Sequence, residues 1–201
     1  MNEEEVKVVL LDLGGVLMRL HDPLDTFGIE LHDDEFLEKW LLSTAVRKLE
    51  RGEIAAEHFA TEIVDEFALS YAPQEFLQRF NRWPDAFFDG IPELLKTIAQ
   101  NYHVALLSNT NAIHWERDDI AGQLEPLIDS LFLSYRTGLV KPESAAFEHV
   151  LDTLDVTAGQ VLFLDDNVLN VDAANRCGMQ AKLTRGFVSL VENLNRAGVK
   201  T

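Results

Sequence analysis

The stretch Val8–Met18, "VVLLDLGGVLM", decides how this chain is read. Four apolar residues lead into Asp12, two glycines follow, and the chain then turns apolar again. With Val6 in front of it, the apolar run up to Leu11 reads as a strand buried on both faces. A carboxylate at the end of such a strand has two readings. It is a turn residue capping a backbone amide, or it belongs to a site where the backbone must approach a ligand, with Gly14 and Gly15 keeping the way clear.

Similar short apolar runs occur at Val104–Leu107, Leu131–Leu133 and Val161–Leu164. Helical patterns lie between them. Pro92 to Gln100 and Pro142 to Leu154 both open on proline, and the second carries Phe147, Val150, Leu151 and Leu154 at helical spacing. Val168 to Cys177 ends at Gly178, a suitable C-cap. Strands alternating with helices predict an α/β fold, a doubly wound parallel sheet.

The stretch from Pro23 to Pro84 is different, with no convincing strand. "DDEFLEKWLLSTAVRKLERGE" places Phe36, Leu37, Trp40, Leu41, Thr44 and Leu49 near one helical face, and "EIAAEHFATEIVDEFAL" does the same with Ile54, Phe59, Ile63, Val64 and Phe67. Trp83-Pro84 and Asp89-Gly90 bracket a return loop. The expected organisation is therefore an α/β core of residues 1–18 and 85–201, with an all-α cap of residues 19–84 inserted after the first strand. Ligands of open parallel sheets bind at the carboxyl ends of the strands. Asp12 lies at such an end, below the point where the insertion leaves.

Asp plus Glu outnumber Lys plus Arg by 34 to 17, a formal charge of −17 that argues against nucleic acid or an anionic membrane as partner. An anionic substrate must then be held by local cations, a metal or backbone amides. No apolar run approaches the roughly 20 residues that span a bilayer, and the acidic start "MNEEEVK" has no apolar signal region. The single cysteine, Cys177, allows no disulfide within the chain and suits the cytoplasm; it reads as a packing residue. The sequence is silent on oligomeric state.

Three further strand ends are polar. "VALLSNTN" ends in Ser108-Asn109, "GLVKPESAAF" places Lys141 just before a helix, and "VLFLDDNVLN" ends in Asp165-Asp166. Singly, each reads as a cap or turn. Together, in this order and each after a strand, they resemble the haloacid dehalogenase (HAD) superfamily of hydrolases. The resemblance covers nearly the whole chain, the helical cap included. The first motif is most similar to that of members reading "DLGGVL" or "DLGNV", some of them small sugar-phosphate phosphatases.

That resemblance implies that Asp12 attacks phosphorus and forms an aspartyl-phosphate, that Ser108, Asn109 and Lys141 hold the phosphate, and that Asp12, Asp166 and the Gly14 carbonyl bind Mg²⁺, with Asp165 acting behind them. The residue types agree. A carboxylate can be a covalent nucleophile, Mg²⁺ takes one or two carboxylates plus waters and phosphate, Lys141 adds a point charge, and Ser108 with the Asn109 amide would open a helix whose N-terminus attracts anions. The substrate class implied is a small phosphorylated metabolite, a sugar phosphate first.

One departure matters. The family usually carries a second aspartate two residues after the nucleophile, as general acid and base, and here that position is Gly14. Three readings stay open. The substrate has a leaving group that needs little protonation; another residue substitutes, with His21, Asp22 or a cap residue as candidates; or the protein binds phosphorylated ligands with little turnover. The dehalogenating branch also lacks that aspartate, but its fourth motif is not an acidic pair, so Asp165-Asp166 favours the phosphatase branch. Of the remaining histidines, His32, His58, His103 and His149 read as surface or structural, and His114, just past the second motif, is the one that could face substrate. Trp40 and the neighbouring aromatics read as the core of the cap.

Overall fold

In the computed structural model, which describes residues 4–29 and 33–201, the elements follow the order expected from the sequence. The strands are β1 (Val8–Leu11), β2 (Met18–Leu20), β3 (Pro84–Phe87), β4 (His103–Ser108), β5 (Ser130–Leu133), β6 (Val161–Asp165) and β7 (Gln180–Leu183). The helices are α1 (Pro23–Phe27), α2 (Asp33–Leu42), α3 (Thr44–Glu50), α4 (Ala56–Glu66), α5 (Pro73–Arg82), α6 (Ile91–Ile98), α7 (Ala112–Trp115), α8 (Ala121–Leu124), α9 (Ser134–Thr137), α10 (Ser144–Leu154), α11 (Val168–Arg176) and α12 (Gly186–Arg196). The side chain of Leu37, the whole of His32 and the first three residues of the acidic N-terminal run lie outside the described residues.

Among the described residues, five parallel strands form one sheet in the order β5-β4-β1-β6-β7. The chain builds outward from β1 on one side through β4 and β5, then crosses to the other side for β6 and β7. The crevice where that direction reverses lies beyond the carboxyl end of β1. The central strands β1, β4 and β6 are covered on both faces, which explains their unbroken apolar runs. Val9 and Leu11 pack with Leu95, Ile98, Leu190 and Leu194 on one face, and Val8 and Leu10 with Phe147, Val150, Val171 and Ala174 on the other.

Between β2 and β3 the described helices α1 to α5 have a core of their own, separate from both sheet faces. It is aromatic. Phe27 stacks on Phe36, Trp40 and Phe76 and meets the edge of Trp83, with ring centroids 5.4–6.0 Å apart. Trp40 is buried here, as its place in the helical pattern predicts.

Three local expectations are corrected. The long helix expected over "DDEFLEKWLLSTAVRKLERGE" is broken at Ser43. The Ser43 hydroxyl accepts from the Val46 amide and donates to Glu66 Oε2 at 2.7 Å, so a new helix starts there and Thr44 turns out to solvent. Second, the return loop after Trp83 contains β3, which pairs antiparallel with β2 and ties the two ends of the insertion together. Third, no helix begins at Ser108. The next helix is a single turn starting after Asn111, whose side chain caps it by accepting from the His114 amide.

Phe27 is fully buried amid four rings, so Phe27→Ala should cost about 3–5 kcal/mol, the usual range for emptying such a site. Urea unfolding measures it, and a loss below about 1 kcal/mol would show that this aromatic core is loosely packed.

Candidate active site

The carboxyl ends of β1, β4 and β6 and the loop before α10 converge on one group, the ammonium of Lys141. Its side chain is buried, and Nζ lies 2.8 Å from Asp12 Oδ1 and 2.6 Å from Asp165 Oδ2. Burial by itself favours the neutral amine, but the two carboxylates outweigh it and hold Lys141 charged, above its ordinary range. Its backbone is fixed as well. The Asn109 side chain accepts from the Lys141 amide and donates to the Lys141 carbonyl, at 2.9 and 3.0 Å. Arg47 of α3 donates to that same carbonyl at 3.1 Å.

All seven residues singled out by the sequence stand around this point, with different freedom. Asp165 has no exposure. It accepts from Lys141, from the Asn167 amide and, through both oxygens, from Asn170. Asp166 is partly open and faces Gly15. Gly15 has φ +71°, and a Cβ there would stand 2.2 Å from Asp166 Oδ2, so only glycine fits. Gly14 differs from its neighbour: a Cβ would meet Leu20 Cδ1 at 3.4 Å, an ordinary contact, so the need for glycine is Gly15's alone. Ser108 is buried at the end of β4, and Ser134 holds the following turn by pairing with both the amide and the carbonyl of Thr110. Asn109 has its side chain committed to Lys141, which leaves its backbone amide as the group available to an anion.

Asp12, Asp165 and Asp166 can each offer an oxygen within 4.8 Å of the others. Burial, against the pull of Lys141, raises the Asp12 carboxyl to about 8, with Asp165 and Asp166 pushing the same way. Burial, with Asp165 beside it, raises Asp166 to about 6. Three carboxylates thus face one ammonium. Clustered hard oxygen donors with uncompensated negative charge suit Mg²⁺. Asp12 and Asp166, with free valences, could hold the ion directly, whereas Asp165 is saturated by its partners.

The sequence reading missed two supports. Asn170 lies within the quoted fourth stretch, one helical turn beyond Asn167, and its contact with Asp165 is foreshadowed only by that spacing. Arg47 reaches Lys141 across 94 positions, which no local pattern reveals.

A profile described as haloacid dehalogenase-like hydrolase matches residues 6–178, and the chain belongs to that family. Among curated proteins it is 29% identical to a D-ribitol-5-phosphate phosphatase of Bacteroides thetaiotaomicron, over 87% of this chain and 90% of that protein. It is 28% identical to a sesquiterpene phosphatase of Aspergillus oryzae, over 86% and 87%. A solved HAD family enzyme of Bacteroides thetaiotaomicron, in complex with magnesium and inorganic phosphate, shares the fold with a TM-score of 0.72 at 24% identity, covering 90% of this chain and 95% of that one. No described helix is long and apolar enough to cross a membrane.

The raised carboxyls give a stability test with a definite sign. Asp12 and Asp166 sit at about 8 and about 6 in the fold against an ordinary 3.8, so the stability they contribute is present at low pH and lost as pH rises through those values. In EDTA, melting temperature should fall between about pH 5 and pH 8, and Asp12→Asn should flatten that fall. Mg²⁺ should raise the melting temperature more at pH 8 than at pH 5, because it competes with protons. An equal Mg²⁺ effect at both values would show the carboxylates already ionised at pH 5.

Proposed function

We propose that this chain is a Mg²⁺-dependent phosphatase acting on a small phosphorylated metabolite through an aspartyl-phosphate on Asp12. The observation that carries the reading is the buried Lys141 ammonium, 2.8 Å from Asp12, at the mouth of a parallel sheet with two further carboxylates beside it. Lys141 keeps Asp12 oriented and places positive charge where a transferring phosphoryl group needs it. An Asp12 oxygen attacks phosphorus, while Ser108 and the Asn109 amide hold the phosphoryl oxygens. Asp12, Asp166 and the Gly14 carbonyl would hold Mg²⁺, which when bound would supply positive charge to offset those oxygens. Asp165 keeps Lys141 in place.

In this reading residues 19–84 act as a cap over the core formed by residues 1–18 and 85–201. A cavity of about 150 Å³ between them is lined by Gly14, Leu20, Trp40, Glu50, Trp83 and Ser108, and it suits a small leaving group. Kinship with phosphatases of a sugar-alcohol phosphate and of a terpenoid supports the reaction class, with a sugar phosphate as the first candidate. The partner is that small molecule, not nucleic acid, given the charge of −17, and the place is the cytoplasm. Gly14 favours a second reading, a phosphate-ligand-binding protein with little turnover.

Turnover of p-nitrophenyl phosphate and of a panel of alkyl and sugar phosphates, with Mg²⁺ and with EDTA, tests the proposal. Mg²⁺-dependent phosphate release is expected, and Asp12→Asn should abolish it while the protein still folds, since the amide is isosteric and a poor nucleophile. Retention of more than a few per cent would place the nucleophile elsewhere. Binding of phosphate esters without any release would establish the second reading.

A further inference from the structure

Alkyl phosphates need a proton on the departing oxygen, and none of the groups at the strand ends can give it. Asp12 is the attacking group, Asp165 is saturated, Lys141 is held between two carboxylates, and Asp166 faces the metal position. The histidine and aspartate that follow the first motif are also committed. Asp22 caps α1 through the amides of Leu24 and Asp25. His21 is exposed, 3.6 Å from Asp85, and lines a different cavity with Thr26 and Arg79. His114 does reach the substrate cavity, but its Nε2 donates to the Phe80 carbonyl at 2.8 Å and its Nδ1 accepts from Asn111, so neither nitrogen has a proton to give. Burial pushes it down to about 4.

Glu50 remains. It is the last residue of α3, its side chain is only 18% exposed, and it lines the same small cavity as Gly14, Ser108 and Asn109. We propose that Glu50, reaching in from the helical insertion, protonates the leaving oxygen and then accepts the proton of the attacking water. This rests on the phosphatase reading above. In the first step Asp12 Oδ bonds to phosphorus, the phosphorus–oxygen bond of the ester breaks, and the departing oxygen takes the Glu50 proton. In the second, water bonds to phosphorus, Glu50 regains a proton from it, the Asp12–phosphorus link breaks, and hydrogen phosphate leaves.

The surroundings suit a group that must exist in both forms. Burial raises Glu50 to about 7, against the pull of Arg47, Lys141 and Arg51, while His114 is neutral. Arg47, 3.4 Å from Glu50 Oε2, is shared with the Lys141 carbonyl, and Arg51 is turned away to the Gly138 carbonyl and Glu143, so neither cation is a dedicated partner.

The test compares leaving groups in single-turnover reactions with Mg²⁺. Glu50→Gln should slow phosphorylation by the best alkyl phosphate of the panel by roughly 10²–10⁴-fold, and by p-nitrophenyl phosphate less than about tenfold, because the nitrophenolate departs without a proton. An equal loss on both esters, or none, would overturn the proposal. The wild-type protein gives an independent measurement should the variant fail to fold. The ratio of alkyl to aryl rates cancels ionisations common to both, and it should fall as pH rises through about 7. A ratio constant from about pH 5 to 9 would overturn the role of Glu50, as would a wild type that cleaves aryl but no alkyl phosphates. Absence of turnover on any ester fails the phosphatase reading itself, and Glu50 with it, which is a distinct result.

Discussion

The ammonium of Lys141 is the charge around which the site is assembled. Without it, Asp12 and Asp165 would be two carboxylates buried side by side at the ends of adjacent strands. With it, three segments far apart in sequence, the end of β1, the loop before α10 and the end of β6, are drawn together. Burying such a group is costly, and the two carboxylates together with the hydrogen bonds that fix them and the lysine backbone offset that cost. Asn109 ties the lysine's own backbone, and Asn170 and the Asn167 amide fill the far side of Asp165. The geometry of the site and the integrity of the sheet end are thus one problem with one solution.

Much of this was legible in the sequence, and for a physical reason. Strands buried on both faces leave continuous apolar runs, and a polar residue closing such a run marks a strand end. That signal carried Asp12, Ser108 and Asp165-Asp166; Lys141, expected to follow a strand, instead stands in the loop between α9 and α10. The signal did not carry β2 and β3, whose pairing is made by Met18 to Leu20, two of the three exposed, and by a mostly half-buried strand that opens on proline, both too short to show a period. The helix break at Ser43 was hidden because the apolar spacing continues through it, and only the hydroxyl's capping partner distinguishes a cap from a helical serine. Glu50 lies in the charged stretch "RKLERGE", where nothing local marks it; its burial beside Gly14, Ser108 and Asn109 at the cavity is a tertiary fact.

Two kinds of surface therefore meet at the cavity. The sheet contributes fixed charge, held rigid by buried hydrogen bonds. The insertion contributes aromatic walls and a carboxyl, with Arg47 and Arg51 fastening α3 to the carbonyls of Lys141 and Gly138. Because Arg47 binds the backbone of the same residue whose ammonium orders Asp12, the position of the insertion and the order of the charged cluster are mechanically linked.

The adjacent glycines at the end of β1 carry different histories of constraint. Gly15 has no alternative, since its backbone is left-handed and any Cβ would collide with Asp166. Gly14 has room for a side chain. In a lineage built on this sheet, the first of the two positions is free to drift, gaining or losing a functional group without disturbing the fold, while the second is frozen. Chemical diversity at this strand end is accordingly cheap to explore at one residue and closed at the next.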